Sequence, residues 1–241
     1  MRPYWFGDGN WTVTLTYCVD LAAADWIVRS TLPWQRLVSF GPAGFDAYAR
    51  LRFLPDPVRP GQSENDVEAE DWRADQLPRL FELLAAGTTT PDDCYFCVWE
   101  GFGDAESATA DDAGFAGVDN SQDQIERAAA RPGLAPTSVA LPSVLPAPKV
   151  AIPHRAYWLF RGPLAEIGTW DSAEAWPGQR RLDASQPAFV WPADHAWCVA
   201  WDVDPHWAGI GGGALLISQL IADPLLDVVS ADPSTEQPFY Q

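Results

Sequence analysis

Thirteen tryptophans are spread through this 241-residue chain, yet residues 104–147 contain none of them. That interval instead holds seven acidic residues among many Ala, Ser, Gly and Pro. Such a composition buries too little apolar surface to offset the conformational entropy lost on ordering. A mobile insertion or linker is therefore expected there, with a short helix over 122–131 and an extended proline-rich end from Ala135 to Pro148. Any core must then be assembled from residues 1–103 and 148–241, which read as the two halves of a single domain.

The flanking segments supply the elements. Asn10–Val19 alternates apolar and polar residues, as a half-buried strand does. Asp20 is placed to cap a short helix over Leu21–Arg29, and Pro33 suits the first turn of another, which Gly41-Pro-Ala-Gly44 ends. Phe45–Leu54 fits either helix or strand. Leu77, Leu80, Phe81, Leu83 and Leu84 form an amphipathic stripe over 76–86, stopped by Gly87. Cys94–Glu100, Ile152–Phe160, Ala188–Trp191 and Ala196–Val203 read as strands. Gly209–Gly213 reads as a flexible turn opening a helix over 214–222, and the tail beyond Pro224 as irregular. Strands and helices follow one another without a strict βαβ rhythm. The expected fold is α+β: a mixed or antiparallel sheet with flanking short helices, in one domain carrying an insertion.

The four cysteines include one CxxC, Cys94-Tyr-Phe-Cys97. On a strand, positions i and i+3 face opposite ways with Cα atoms roughly 10 Å apart. That separation excludes a disulfide and a shared metal site, so buried free thiols are expected.

Charge excludes one class of partner. Fifteen basic residues against 33 acidic ones give a net charge of −18, which repels nucleic acid and favours a basic protein partner. The N-terminal residues lack the basic start and apolar run of a signal peptide, and no apolar run approaches the roughly 20 residues of a membrane span. A cytoplasmic protein with no membrane association is expected.

Aromatic and ionisable residues converge in one place. Phe189–Trp207 packs four tryptophans, two histidines and three aspartates into a turn, a strand and the loop after it. Asp202 and Asp204 alternate onto one face of the strand's end, and His206 follows Pro205. Two carboxylates and an imidazole suit a hard or borderline cation, or an acid–base pair. They equally suit an ordinary turn in which Asp caps and His decorates. His195 follows Asp194 in a turn. Trp191, Trp197, Trp201 and Trp207 either fill the core or wall a binding site, Trp207 being the one expected to be exposed. Gly209-Ile-Gly-Gly-Gly-Ala214 satisfies the loose GxGxxA form, but the chain ends without a βαβ unit, so no nucleotide cofactor is expected. No GxSxG, HExxH or P-loop signature occurs.

Three blocks, Phe40–Pro57, Asp93–Gly101 and Val190–Asp204, together resemble a family of actinobacterial proteins. The resemblance spans most of the chain outside 104–147. It implies an actinobacterial cytoplasmic protein and assigns no catalytic residue. Two functions follow from these readings. One is an acidic protein-binding protein: an inhibitor, an immunity-type factor or a regulator. The alternative is a small-molecule or metal-dependent enzyme using Asp202, Asp204 and His206, with His195 near by and Trp201 or Trp207 as walls.

Overall fold

The computed structural model describes residues 15–67, 76–99, 148–167, 187–201 and 206–241. Among the described residues, nine strands form one open antiparallel sheet: β1 (Thr16–Tyr17), β2 (Ala47–Arg52), β3 (Cys94–Trp99), β4 (Val150–Ile152), β5 (Arg155–Gly162), β6 (Phe189–Pro192), β7 (Trp197–Ala200), β8 (Trp207–Gly212) and β9 (Val228–Ser230). The strand order is β1-β5-β3-β6-β7-β8-β2-β9, with β4 also paired to β5. Strands from the two halves of the chain interleave, so both halves belong to one α+β domain. Four short α-helices among the described residues flank the sheet: α1 (Asp25–Val28), α2 (Trp34–Phe40), α3 (Gln76–Ala86) and α4 (Ala214–Ala222). No helix among the described residues is long and apolar enough to cross a membrane. The predicted insertion at 104–147 lies outside the described residues, as do Asn10 to Thr14 of the first predicted strand.

Each face of the sheet carries its own core. Leu80, Phe81 and Leu84 of α3, with Leu216, Ile217 and Leu220 of α4, pack against Phe96, Val190, Trp197 and Ile210 on one face. Ile27 of α1, with Leu37 and Val38 of α2, packs against Leu159, Phe189, Trp191 and Cys198 on the other. Double coverage explains why β7 is buried at every position and reads as an unbroken apolar run. It also places the cysteines. Cys94 belongs to one core and Cys97 to the other, so the CxxC cannot close. All four cysteines are free thiols.

The structure corrects several expectations. Of the two alternatives for Phe45–Leu54, strand holds, at Ala47–Arg52. Ile152–Phe160 is two strands joined at Pro153-His154, where His154 adopts φ 65°. The tail past Pro224 is not wholly irregular, because Leu51 and Ala49 of β2 pair with Val228 and Ser230 of β9.

The glycine-rich run is strand rather than turn. A Cβ on Gly209 would lie 1.9 Å from the Ser39 carbonyl oxygen, and one on Gly211 2.3 Å from the Phe45 ring. Bare glycine lets the end of α2 and the loop after it lie directly on β8. Only Gly213 is outside the strand, at the N-cap of α4.

Candidate functional site

The register of β2 against β8 sets Tyr48 opposite Gly211, Arg50 opposite Gly209 and Arg52 opposite Trp207. Alternation turns all three β2 side chains toward the α2 face. Arg50 and Arg52 anchor a charge network at one end of this row, and Tyr48 lines a cleft at the other.

In the network, Arg50 meets Asp56 at two points, Nη1 to Oδ1 at 2.7 Å and Nη2 to Oδ2 at 3.0 Å. Arg52 reaches the same carboxylate at 3.4 Å and holds Asp227 at 2.6 Å. His206 Nε2 lies 3.3 Å from Asp56 Oδ1. The Trp207 ring covers the Arg50 guanidinium at 5.4 Å, and Arg50 Nε has no hydrogen-bond partner among the described residues. The tail closes over the group. Tyr240 sets its ring edge-on to His206 at 4.7 Å and donates its hydroxyl to the Pro55 carbonyl. Gln241 donates its backbone N–H to the Gln62 carbonyl at 3.0 Å.

Burial pushes the Asp56 carboxyl up, but the hydrogen bonds and charge of Arg50, joined by His206 and Arg52, outweigh it. The net result holds Asp56 below the ordinary carboxylate range. Burial lowers His206, against the partial support of Asp56. Asp56 is thus favoured as the ionised acceptor of the group, and burial disfavours the charged form of His206. Among the described residues, both Asp56 oxygens are engaged, by Arg50, Arg52 and His206.

The cleft lies beside it, an open depression of about 440 Å³ between α2, the Gly41–Asp46 loop and Ala231–Pro233. Phe40, Phe45 and Tyr48 supply its aromatic wall. Tyr48 meets Phe45 at 5.9 Å and Phe40 at 6.1 Å, both edge-on. Asp46 and Asp232 also line the cleft, against the single cation of Arg36. Gly41 at φ 75° and Gly44 at φ 116° shape the loop. A Cβ on Gly41 would also strike Cys198 Sγ at 2.8 Å. The lining contains no histidine, cysteine or serine.

The residues singled out in the sequence are scattered by the fold. Trp191 is fully buried under α1, where Trp26 meets it edge-on at 6.0 Å. His195, at φ 54°, stacks on Trp26 at 4.2 Å in the turn between β6 and β7. That turn is held by Asp194, which accepts from the Thr88 and Thr89 hydroxyls and the Thr89 and Ala196 backbone N–H groups. Trp201 stacks on Phe53 at 4.2 Å. His206 and Trp207 enter the charge network. Trp207, expected to be exposed, is only 5% exposed, because β8 is a strand covered by Phe40 and the returning tail. Asp202 and Asp204, two of the three predicted ligands, lie outside the described residues. Among the described residues no group of three or more His, Cys, Asp or Glu is placed to hold a metal ion. Sequence reasoning missed Arg50, Asp56, Tyr48 and Asp232. Asp56, between two prolines, carries no local signature, and the cleft is made by segments nearly two hundred positions apart.

No family model, curated protein or solved structure matches this chain.

Proposed function

We propose that this chain is an acidic, cytoplasmic protein-binding protein, of inhibitor, immunity-type or regulatory kind, and that its partner is basic. The observation carrying this reading is the cleft, where the Phe45 and Tyr48 rings stand beside two carboxylates, Asp46 and Asp232. A guanidinium or ammonium group placed there gains both ring-face attraction and charge pairing. The net charge of −18 steers such a partner from a distance. A binding role also suits a cleft lined by no histidine, cysteine or serine and a neighbouring His206 already committed to Asp56.

Hexa-arginine is a direct probe. It should bind saturably at low salt, weaken steadily as salt rises, and lose about tenfold in affinity on combined Asp46→Asn and Asp232→Asn substitution. Absence of saturable binding, or binding indifferent to both substitutions, would overturn the reading. A partner recovered from an actinobacterial host should be basic and should be lost from the same double variant.

A further inference from the structure

The sheet ends on an edge at β9, and the backbone pairing fixes which groups of that strand point away from it. Arg52 donates its N–H to the Asp227 carbonyl at 2.9 Å, and Ala231 donates to the Tyr48 carbonyl at 3.0 Å, with Val229 opposite Arg50 between them. In an antiparallel ladder these alternate residues turn their backbone groups toward β2. Val228 and Ser230 therefore turn N–H and C=O outward, and among the described residues these groups have no hydrogen-bond partner. Sheet edges are ordinarily guarded by Lys or Pro, and Val228-Val229-Ser230 contains neither. The edge runs into the cleft. Ala231 continues the ladder and lines the cleft with Tyr48, Asp232 and Pro233. Asp232 Oδ1 accepts the Ser234 N–H and hydroxyl at 2.8 and 2.7 Å, which holds its exposed carboxylate in place.

We propose that the partner docks as an added strand on β9, through an extended basic segment whose side chain opposite Ala231 enters the cleft. The inference rests on the basic-partner reading and names the part of the partner that reaches the site. Outward donors and acceptors repeating along an edge match the main chain of an extended peptide. Residues directly opposite in a ladder share a face, so the segment's residue across from Ala231 projects on the side of Tyr48 and Asp232. Charge then chooses the segment. Asp46 and Asp232 outweigh Arg36 in the cleft, and the net charge of −18 turns away an acidic strand, a second copy of this chain included. Main-chain bonds at the edge hold an extended segment, and the cleft selects its cation.

The experiment is calorimetric titration of the full chain with a capped hexapeptide of alternating arginine and valine. It is made unmodified, N-methylated at the valines, or N-methylated at the arginines. With arginine opposite Ala231, the valines fall opposite Val228 and Ser230, so theirs are the N–H groups that bond to the edge. Methylating the valines should weaken binding about tenfold or more, and methylating the arginines should leave it within about twofold. Ser230→Pro removes an outward donor and leaves the ladder to β2 intact, and it should weaken the unmodified peptide by a similar factor. Far-UV circular dichroism checks that this variant folds, and if it does not, the methylated peptides on wild type decide. Indifference to valine methylation, or equal loss from both methylations, overturns the added strand. If that peptide still loses affinity on combined Asp46→Asn and Asp232→Asn substitution, the basic-partner reading stands without the strand. If neither this peptide nor hexa-arginine binds, both fall.

Discussion

Arg50 and Asp56 form a two-point ion pair, with Asp56 Oδ1 also 3.3 Å from the buried His206 imidazole. The pair is largely out of water, the Arg50 side chain being 6% exposed. Its value lies less in attraction than in what removal would leave behind, a buried guanidinium without its counter-charge. Asp56→Asn should therefore cost roughly 3 kcal/mol of folding stability, measured by urea unfolding at neutral pH. A loss below about 1 kcal/mol would mean that Asp227 or solvent takes over the charge.

Acidification should weaken the fold in two stages. Burial holds His206 and His195 below their ordinary values. Between those lowered values and about 6.5 the unfolded chain binds more protons, so stability there rises with pH and falls on acidification. Around His206 stand Asp56, Arg50, Glu64 and Tyr240, and only the carboxylates favour its charging. Asp56 and Asp194 are held low, Asp194 to about 2, where Thr89, Thr88 and Ala196 overcome burial. Their contribution is present above about pH 4 and is lost as pH falls toward their folded values. Urea midpoints from pH 7.5 to 5 should fall for wild type and flatten in a His206→Gln variant. An unchanged slope would remove His206 from this role.

Gly209 and Gly213 should respond oppositely to alanine. The first would drive a methyl into the Ser39 carbonyl, a backbone atom that cannot turn aside, whereas nothing lies within 4 Å of the second. Gly209→Ala should cost about 3 kcal/mol or more, and Gly213→Ala should stay within about 0.5 kcal/mol. Thermal unfolding of the pair reads the difference, and equal effects would contradict the close packing of α2 on β8.

Thiol reactivity should follow burial. Cys94, Cys97 and Cys198 are sealed in the two cores, and burial pushes Cys94 up to about 12. Cys18 is half-buried, and burial, partly offset by Arg161, raises it to about 11. A disulfide reagent at pH 8 should label Cys18 slowly in the native protein and all four thiols after unfolding. Rapid native labelling of Cys97 would contradict its place in the core, and an internal Cys94–Cys97 disulfide would contradict the strand.

The sequence was most readable where local chemistry and tertiary packing agree. β3 runs from Cys94 to Trp99 almost as its β-branched and aromatic content predicts, and α3 ends at the glycine that follows its stripe. Reading failed where distant contacts override local preference. Glycine marks turns, yet Gly209 and Gly211 sit within a strand because α2 and Phe45 press on them. Trp207 beside a glycine run suggested exposure, but the same packing buries it. His206 was visible as a candidate, while its partner Asp56 lies 150 positions away. The cleft was equally hidden, since Tyr48 and Asp232 are brought together only by the pairing of β2 with β9.

The strand order has a consequence for how the molecule is made. None of β1, β2 and β3 pairs with another of the three. β1 takes β5, β2 takes β8 and β9, and β3 takes β5 and β6. Every one of those partners follows residue 154. Among the described strands, β1, β2 and β3 are therefore made before any strand they hydrogen-bond to, and sheet pairing among them begins only once β5 has been synthesised.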